Sequence, residues 1–199
     1  MAIILASASS ARQAILRSAG LTAQSLPADI DERAAEAPLL QSGAGADDLA
    51  QALAMIKASH VSQQRPADLV IGADQTLEFE GERLTKPADM AAARRQLLKL
   101  AGKPHRLHSA VACCRGGAVI WQHMESVTLT MRPLTPQEIG RYLAKAGESA
   151  LTSVGGVPVV PAPGGSNVTG PAMVRPLGSV SETSASVASA APLLFTTTV

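Results

Sequence analysis

The first part of the chain alternates between short apolar runs and longer segments with one apolar face, which predicts strands and helices in turn. Strand patterns occur at residues 3–5, 69–71, 77–79, 107–113 and 119–131. In the last of these, Val127, Leu129 and Met131 alternate with threonines, as expected of a half-buried strand. The pairs at 80–81 and 116–117 contain glycine and predict hairpin turns.

Helices are predicted between these strands from their capping residues and apolar spacing. The first begins at Ser9 or Ser10, carries Ile15 on an apolar face and ends at Gly20. Later helices begin near Asp47, Asp89 and Thr135. The acidic stretch 29–33 is predicted as a loop or strand end. Strands and helices that alternate with short connections indicate an α/β domain.

The chain changes character after Glu148. Only Arg175 and Glu182 are charged beyond that point, and the rest is mostly Pro, Gly, Ser, Thr, Ala and Val. A folded surface normally carries more charge than this. We therefore expect a domain over residues 1–148, followed by an atypical, low-charge segment over 149–199 that is poorly ordered or foreign to the domain.

Composition narrows the classes of function. The net charge is +1 and aromatic residues make up 2% of the chain, which disfavours binding of nucleic acid. Cys113 and Cys114 are adjacent, so they are expected to be reduced. The sequence shows no signal-peptide pattern and no apolar run long enough for a membrane span. The expected location is the cytoplasm.

Polar residues near the predicted strand ends suggest a site for a polyphosphate. The cations and hydroxyls are Ser7, Ser9, Arg12, Lys57 and Lys86, and the carboxylates are Glu32 and Asp74. Cations neutralise phosphate, whereas carboxylates hold a divalent ion or activate water. Each residue also has a simpler interpretation. Ser9 could cap a helix without contacting substrate, Asp74 could be a turn residue, and Lys57 could be an ordinary surface lysine.

Other catalytic classes lack their motifs. The four histidines show no zinc-ligand spacing, and no GxSxG motif of a serine hydrolase is present. The P-loop and Rossmann glycine patterns are missing as well.

Taken together, several ordered segments resemble the Maf family of nucleotide pyrophosphatases. The chain opens with Ile3-Ile4-Leu5-Ala6-Ser7-Ala8-Ser9 and Arg12, like the family's LASxS-x-x-R motif. Leu53-Ala54 with Lys57-Ala58 is similar to its LAxxKA motif. The most specific block is 70–75, which reads VIGADQ and is followed by Lys86-Pro87.

This resemblance implies a fold, a reaction and a set of residue roles. The expected fold is α/β, similar to Maf and ITPase proteins: a mixed twisted sheet with flanking helices and a central cleft between two lobes. The implied reaction converts a nucleoside triphosphate to its monophosphate and pyrophosphate with Mg²⁺ or Mn²⁺. Members are often dimeric, so a homodimer is expected. By position, Asp74 matches the catalytic acid, and Glu32 with Asp74 the metal carboxylates. The residues that match substrate contacts are Ser7, Ser9, Arg12, Lys57, Gln75 and Lys86.

Departures from the family pattern leave the nucleobase open. Ala11 stands where members that act on TTP and UTP have a second arginine, and Gln75 stands where they have threonine. Gln75 resembles the branch that acts on 7-methyl-GTP. A hydrogen-bonding change in a base pocket can alter selectivity by orders of magnitude. A third hypothesis is a non-catalytic nucleotide-binding regulator of cell division.

The largest departure follows Gly155-Gly156. The family expects an aromatic residue and then a glutamine that contacts substrate, but this chain has Val157 and Val159 and then the uncharged segment. Family pattern and charge are lost together. We therefore hypothesise that a reading-frame shift near Gly156 replaced the original C-terminal part.

Overall fold

A computed structural model describes residues 1–146 and 195–197 of the chain. In these residues the strands form one mixed sheet with the order β2-β1-β3-β5-β6-β7, and β4 pairs with β3 outside this path. The strands are β1 (Ile3–Leu5), β2 (Gln24–Ser25), β3 (Leu69–Phe79), β4 (Glu82–Leu84), β5 (Pro104–Arg115), β6 (Ala118–Met131) and β7 (Phe195–Thr197). β1 runs parallel to β2 and β3, whereas the pairs that β3 forms with β4 and β5 are antiparallel.

Helices cover both faces of the sheet, so the predicted mixed α/β architecture is confirmed. The helices are α1 (Ser10–Ser18), α2 (Glu32–Gln41), α3 (Ala46–Gln64), α4 (Met90–Leu100) and α5 (Pro136–Ala146). Leu77 and Phe79 of β3 pack with α4 and α5 in one core cluster. Side chains alternate along a strand, so Gly72, Asp74 and Thr76 lie on the other face of β3, against α3.

Gly72 lets α3 lie directly against β3. A Cβ atom at this position would meet the carbonyl oxygen of Ala54 and would lie 2.6 Å from the nitrogen of Ala58. Ala54 and Ala58 are fully buried together with Ala110 and Ala112 of β5. Small residues on both sides therefore allow a close approach of the helix to the sheet.

Turn and cap residues occur where the sequence predicts them. Glu80 and Gly81 have φ angles of 53° and 81°, as a two-residue hairpin turn requires, and Gly116 and Gly117 form the second such turn. Asp89 caps α4 by accepting a hydrogen bond from the backbone nitrogen of Ala92 at 2.6 Å.

Three local predictions about the helices are wrong in whole or in part. The stretch 29–33 was expected to be a loop or strand end; residues 29–31 belong to no helix or strand, but α2 begins at Glu32, where Asp31 caps it by accepting a hydrogen bond from the backbone nitrogen of Ala34. α3 is capped at Gly45, not at Asp47. Ile15 of α1 is 64% exposed, so the predicted apolar face covers no core.

The predicted atypical segment 149–199 lies outside the described residues, except for β7. This strand pairs with β6, with Phe195 opposite Met131.

Candidate active site

A cleft of about 1260 Å³ opens on the face of the sheet that carries α3. Its walls come from the loop after β1, from the helices α1, α2 and α3, from β3 and β4, and from the segment that follows β4. Every residue that the sequence singles out for substrate, metal or catalysis borders this cleft: Ser7, Ser9, Arg12, Glu32, Lys57, Asp74, Gln75 and Lys86. Residues that are far apart along the chain are thereby brought to one cavity.

Lys57 lies between two carboxylates at the base of the cleft. Its Nζ atom is 2.6 Å from Oδ1 of Asp74 and 2.9 Å from Oε1 of Glu32. The side chains of Lys57 and Asp74 are only 10% and 11% exposed, whereas that of Glu32 is 52% exposed. Lys57 is therefore a buried, paired lysine of α3 and not a surface lysine. Asp74 lies in the middle of β3, so its interpretation as a turn residue is wrong.

Burial makes Asp74 more basic than an ordinary aspartate. Desolvation is the largest influence on its carboxyl group and raises the pKa, and the nearby charge of Glu32 raises it further. Lys57 and Arg12 act in the opposite direction, but the net pKa remains raised. A carboxylate with a raised pKa is better suited to accept a proton from water.

The loop between β1 and α1 brings a serine and an arginine to the cleft. Ser7 is buried, and its hydroxyl oxygen accepts hydrogen bonds from Nη1 of Arg12 at 3.1 Å and from the backbone nitrogen of Ser9 at 3.2 Å. Burial lowers the pKa of the Arg12 guanidinium, while Asp74 and Glu32 raise it. The start of a helix with an arginine beside it suits an anion.

Ser9 caps α1, because its hydroxyl accepts from the backbone nitrogen of Arg12 at 3.4 Å. This is the simpler of its two interpretations, and a substrate contact stays a prediction. Lys86 is exposed at the edge of the cleft, after the end of β4.

Gln75 borders the cleft, but its side chain leaves β3 on the face opposite to Asp74, since neighbouring strand residues alternate. Its Nε2 atom donates to the hydroxyl of Ser109 at 2.6 Å. In the part of the chain that the structure describes, its buried Oε1 atom has no hydrogen-bond partner. This oxygen is therefore a buried hydrogen-bond acceptor that no donor among the described residues satisfies.

Sequence reasoning missed a second ion pair at the cleft. Nη1 and Nη2 of Arg83 each donate to one carboxylate oxygen of Glu36, both at 2.7 Å. This hydrogen bond is the largest influence on the pKa of Arg83 and raises it. The predicted hairpin turn at Glu80-Gly81 could have revealed that Arg83 faces the cleft. A two-residue turn there pairs Arg83 with Glu78, so Arg83 lies on the same face of the sheet as Asp74.

The donor set suits a metal ion that binds together with phosphate. Oxygens of Glu32 and Asp74 converge on one position, which the Lys57 ammonium holds in the structure. Among residues 1–146 and 195–197 there is no group of three or more His, Cys, Asp or Glu side chains able to bind a metal. Mg²⁺ usually binds through one or two carboxylates together with substrate phosphates, so these two residues fit that kind of site.

The sequence also matches a known protein family. The family model described as Maf-like protein matches residues 2–168. The chain belongs to the Maf family. The match extends to residue 168, and the domain boundary expected at residue 148 stays a prediction.

Maf relatives are similar to most of the chain. A protein of Mesorhizobium japonicum named 7-methyl-GTP pyrophosphatase is 52% identical over 153 residues, which is 77% of each chain. A protein of Rhodopseudomonas palustris named nucleoside triphosphate pyrophosphatase is 49% identical over 154 residues, covering 77% of this chain and 75% of its own. Among solved structures, the Staphylococcus aureus Ham1 protein matches with a TM-score of 0.42 and 15% identity, over 66% of this chain and 71% of that one.

No helix in the described part of the chain combines the length and the apolar character needed to cross a membrane.

Proposed function

We propose that this chain hydrolyses a nucleoside triphosphate to the nucleoside monophosphate and pyrophosphate. The observation that carries the proposal is the Lys57 ammonium held between Asp74 and Glu32 in a cleft that is also bordered by Arg12 and Lys86. The Maf relatives named above are pyrophosphatases, so the class of enzyme is a hydrolase of phosphoric anhydrides.

In the proposed reaction Asp74 accepts a proton from water. The oxygen of that water forms a bond to the α-phosphorus, and the bond from this phosphorus to the bridging oxygen of the β-phosphate breaks. The electron pair leaves with pyrophosphate. The raised pKa of Asp74 supports this role, because a more basic carboxylate is a better proton acceptor near neutral pH.

The cations have a separate task in this proposal. Arg12, Lys57 and Lys86 neutralise the triphosphate, and Ser7 with the start of α1 orients it. Glu32 and Asp74 hold Mg²⁺ or Mn²⁺. The metal supplies charge that offsets the negative charge developing on the phosphate oxygens.

There are two candidate substrate classes, 7-methyl-GTP and a broader range of nucleoside triphosphates, and each corresponds to the name of some of the relatives. The similarity to proteins named 7-methyl-GTP pyrophosphatase supports a methylated guanine base, and Gln75, the residue that resembles that branch, borders the cleft although its side chain bonds to Ser109. The similarity to proteins named nucleoside triphosphate pyrophosphatase supports a broader range of bases. The test is pyrophosphate release from a panel of triphosphates, including 7-methyl-GTP, with Mg²⁺ or Mn²⁺. Binding without release from any member of the panel would instead favour the non-catalytic regulator.

Replacement of Lys86 with alanine should weaken triphosphate binding and raise KM by about tenfold, which corresponds to about 1.4 kcal/mol of lost interaction. The physical reason is the loss of one cation at the edge of the cleft. KM and kcat for pyrophosphate release provide the measurement. Lys103→Ala is a suitable control, because Lys103 pairs with Glu80 away from the cleft. Equal KM values for the two variants would remove Lys86 from its role.

The remaining expectations about cellular context are also proposals. We propose that the enzyme works in the cytoplasm as a homodimer, and that it binds neither nucleic acid nor membrane. The free thiols of Cys113 and Cys114 and the net charge of +1 support a reducing environment and a small-molecule substrate.

We further propose that a reading-frame shift near Gly156 replaced the original C-terminal part of the chain, where charge and family pattern are lost together. The relative from Mesorhizobium japonicum aligns over 77% of both chains, so the remainder of each chain lies outside the alignment. Resequencing of the coding DNA is expected to reveal a Maf-like continuation in another frame. An intact frame without such an alternative would rule the shift out.

A further inference from the structure

One wall of the cleft is a helix with no buried residue. The cleft-facing residues of α2 are Glu32, Arg33, Glu36, Ala37 and Leu40, at the spacing of one helix face. None of the ten residues of α2 is buried. Since burial of apolar side chains is the usual force that holds a helix on a domain, α2 needs other contacts to keep its position.

Two ion pairs cross from this helix face to other walls of the cleft. Glu32 contacts Lys57 of α3, and Glu36 contacts Arg83 of β4. The first pair shares its lysine with Asp74, and its glutamate is 52% exposed. In the proposed function Lys57 binds phosphate and Glu32 binds the metal. The pair between them therefore breaks during turnover and cannot hold α2 throughout.

The second pair is built differently. Both terminal nitrogens of Arg83 donate to separate oxygens of Glu36 at 2.7 Å, and the two side chains are only 20% and 13% exposed. A bidentate pair of this kind fixes orientation as well as distance, which a lysine at the same position could not do. Because its guanidinium is committed to Glu36, Arg83 borders the cleft without being available to bind phosphate in this arrangement.

We propose that Arg83 is a positioning residue: its bidentate pair with Glu36 holds α2 on the cleft and thereby keeps Glu32 within reach of Asp74 while substrate and metal bind. The inference rests on the proposed function, since that function gives Glu32 its role at the metal. It adds a residue pair that acts through the position of a helix and not by contact with the substrate.

The test compares Arg83→Lys, Arg83→Gln and Glu36→Gln with the wild-type chain. Hydrogen–deuterium exchange reports on residues 32–41, and calorimetric titration with Mn²⁺ and α,β-methylene-GTP reports affinity. We expect faster exchange confined to α2, about tenfold weaker binding of the Mn²⁺ complex, and a rise in KM larger than the fall in kcat. The exchanged pair Arg83→Glu with Glu36→Arg should recover part of the protection and of the affinity.

Lys99→Gln is the matched control, because it removes a pair between α4 and Glu82 of the same β4 strand, away from the cleft. It should leave exchange in α2 unchanged. The inference is overturned if the Arg83 and Glu36 variants leave exchange in 32–41 unchanged, or if exchange rises there while affinity and KM stay at wild-type values. Absence of pyrophosphate release by the wild-type chain would sink the proposed function instead, and exchange and titration would still decide the role of Arg83.

Discussion

Replacement of Asp74 with asparagine is expected to lower kcat for pyrophosphate release by about 10²–10⁴-fold, the usual contribution of a general base. Asparagine has nearly the same size but cannot accept a proton from water. Lys57 keeps its contact with Glu32 at 2.9 Å, so the cleft retains its cation and nucleotide affinity should change little. Pyrophosphate release and titration with α,β-methylene-GTP measure the two quantities separately.

The pH dependence offers a second measurement of the same role. Only the ionised carboxylate can act as a base, so kcat/KM should fall as pH decreases through the pKa of Asp74. Because burial raises this pKa, the loss should occur at a higher pH than for an ordinary aspartate. Glu78→Gln is the control, since Glu78 lies on the same face of β3 but outside the cleft. Wild-type turnover in the Asp74→Asn variant would exclude Asp74 as the base.

Replacement of Gly72 with alanine is expected to lower the free energy of unfolding by about 3 kcal/mol, near the upper end of the usual cost of overpacking. The added Cβ would meet backbone atoms of Ala54 and Ala58, which cannot rotate away as a side chain could. The helix α3 would have to move away from β3 as a unit. Urea-induced unfolding followed by circular dichroism measures the change.

The same variant should also lose activity, because α3 carries Lys57 and β3 carries Asp74. A shift of the helix would lengthen the 2.6 Å contact between them. Gly43→Ala is the control: Gly43 has a φ angle of 82° and nothing within 4 Å of an added Cβ, so only backbone strain of about 1–2 kcal/mol is expected. Equal destabilisation by the two substitutions would contradict the close-packing argument.

These predictions share one structural cause. The candidate site forms where a helix lies unusually close to a strand, which places a lysine and an aspartate from separate segments within hydrogen-bonding distance. At the wall formed by α2, which has no buried residue, Arg83 pairs with Glu36, and in our proposal this ion pair holds the helix. Packing on one side and charge pairing on the other thus define the cleft.

Local signals in the sequence were sufficient where the physics is local. Asp89 caps α4, and Glu80-Gly81 turns the hairpin, because both roles depend on a few neighbouring backbone atoms. The α2 helix was missed although its cap, Asp31, is also a local signal. It begins in an acidic stretch and buries none of its residues, so no buried apolar face marked it as a helix.

The relative positions of residues that are distant along the chain could not be predicted from the sequence in the same way. The apolar pattern of the sequence predicted that Asp74 follows the end of a strand, whereas β3 continues through it to Phe79. The candidate side chains nevertheless meet, because Asp74 points from the middle of β3 toward α3. Gln75, its neighbour, points to Ser109 on the other face.

By itself, the sequence determined the mixed α/β character, the turns, most helix starts and the residue types that a polyphosphate and a metal require. These features depend on backbone preferences and on side-chain chemistry over short stretches of chain. Only the tertiary structure decided that Lys57 is buried between two carboxylates, that burial raises the pKa of Asp74, and that Arg83 pairs with Glu36 of α2. Those properties arise from contacts between segments that are distant along the chain, and their distances and desolvation exist only once the sheet and helices have packed.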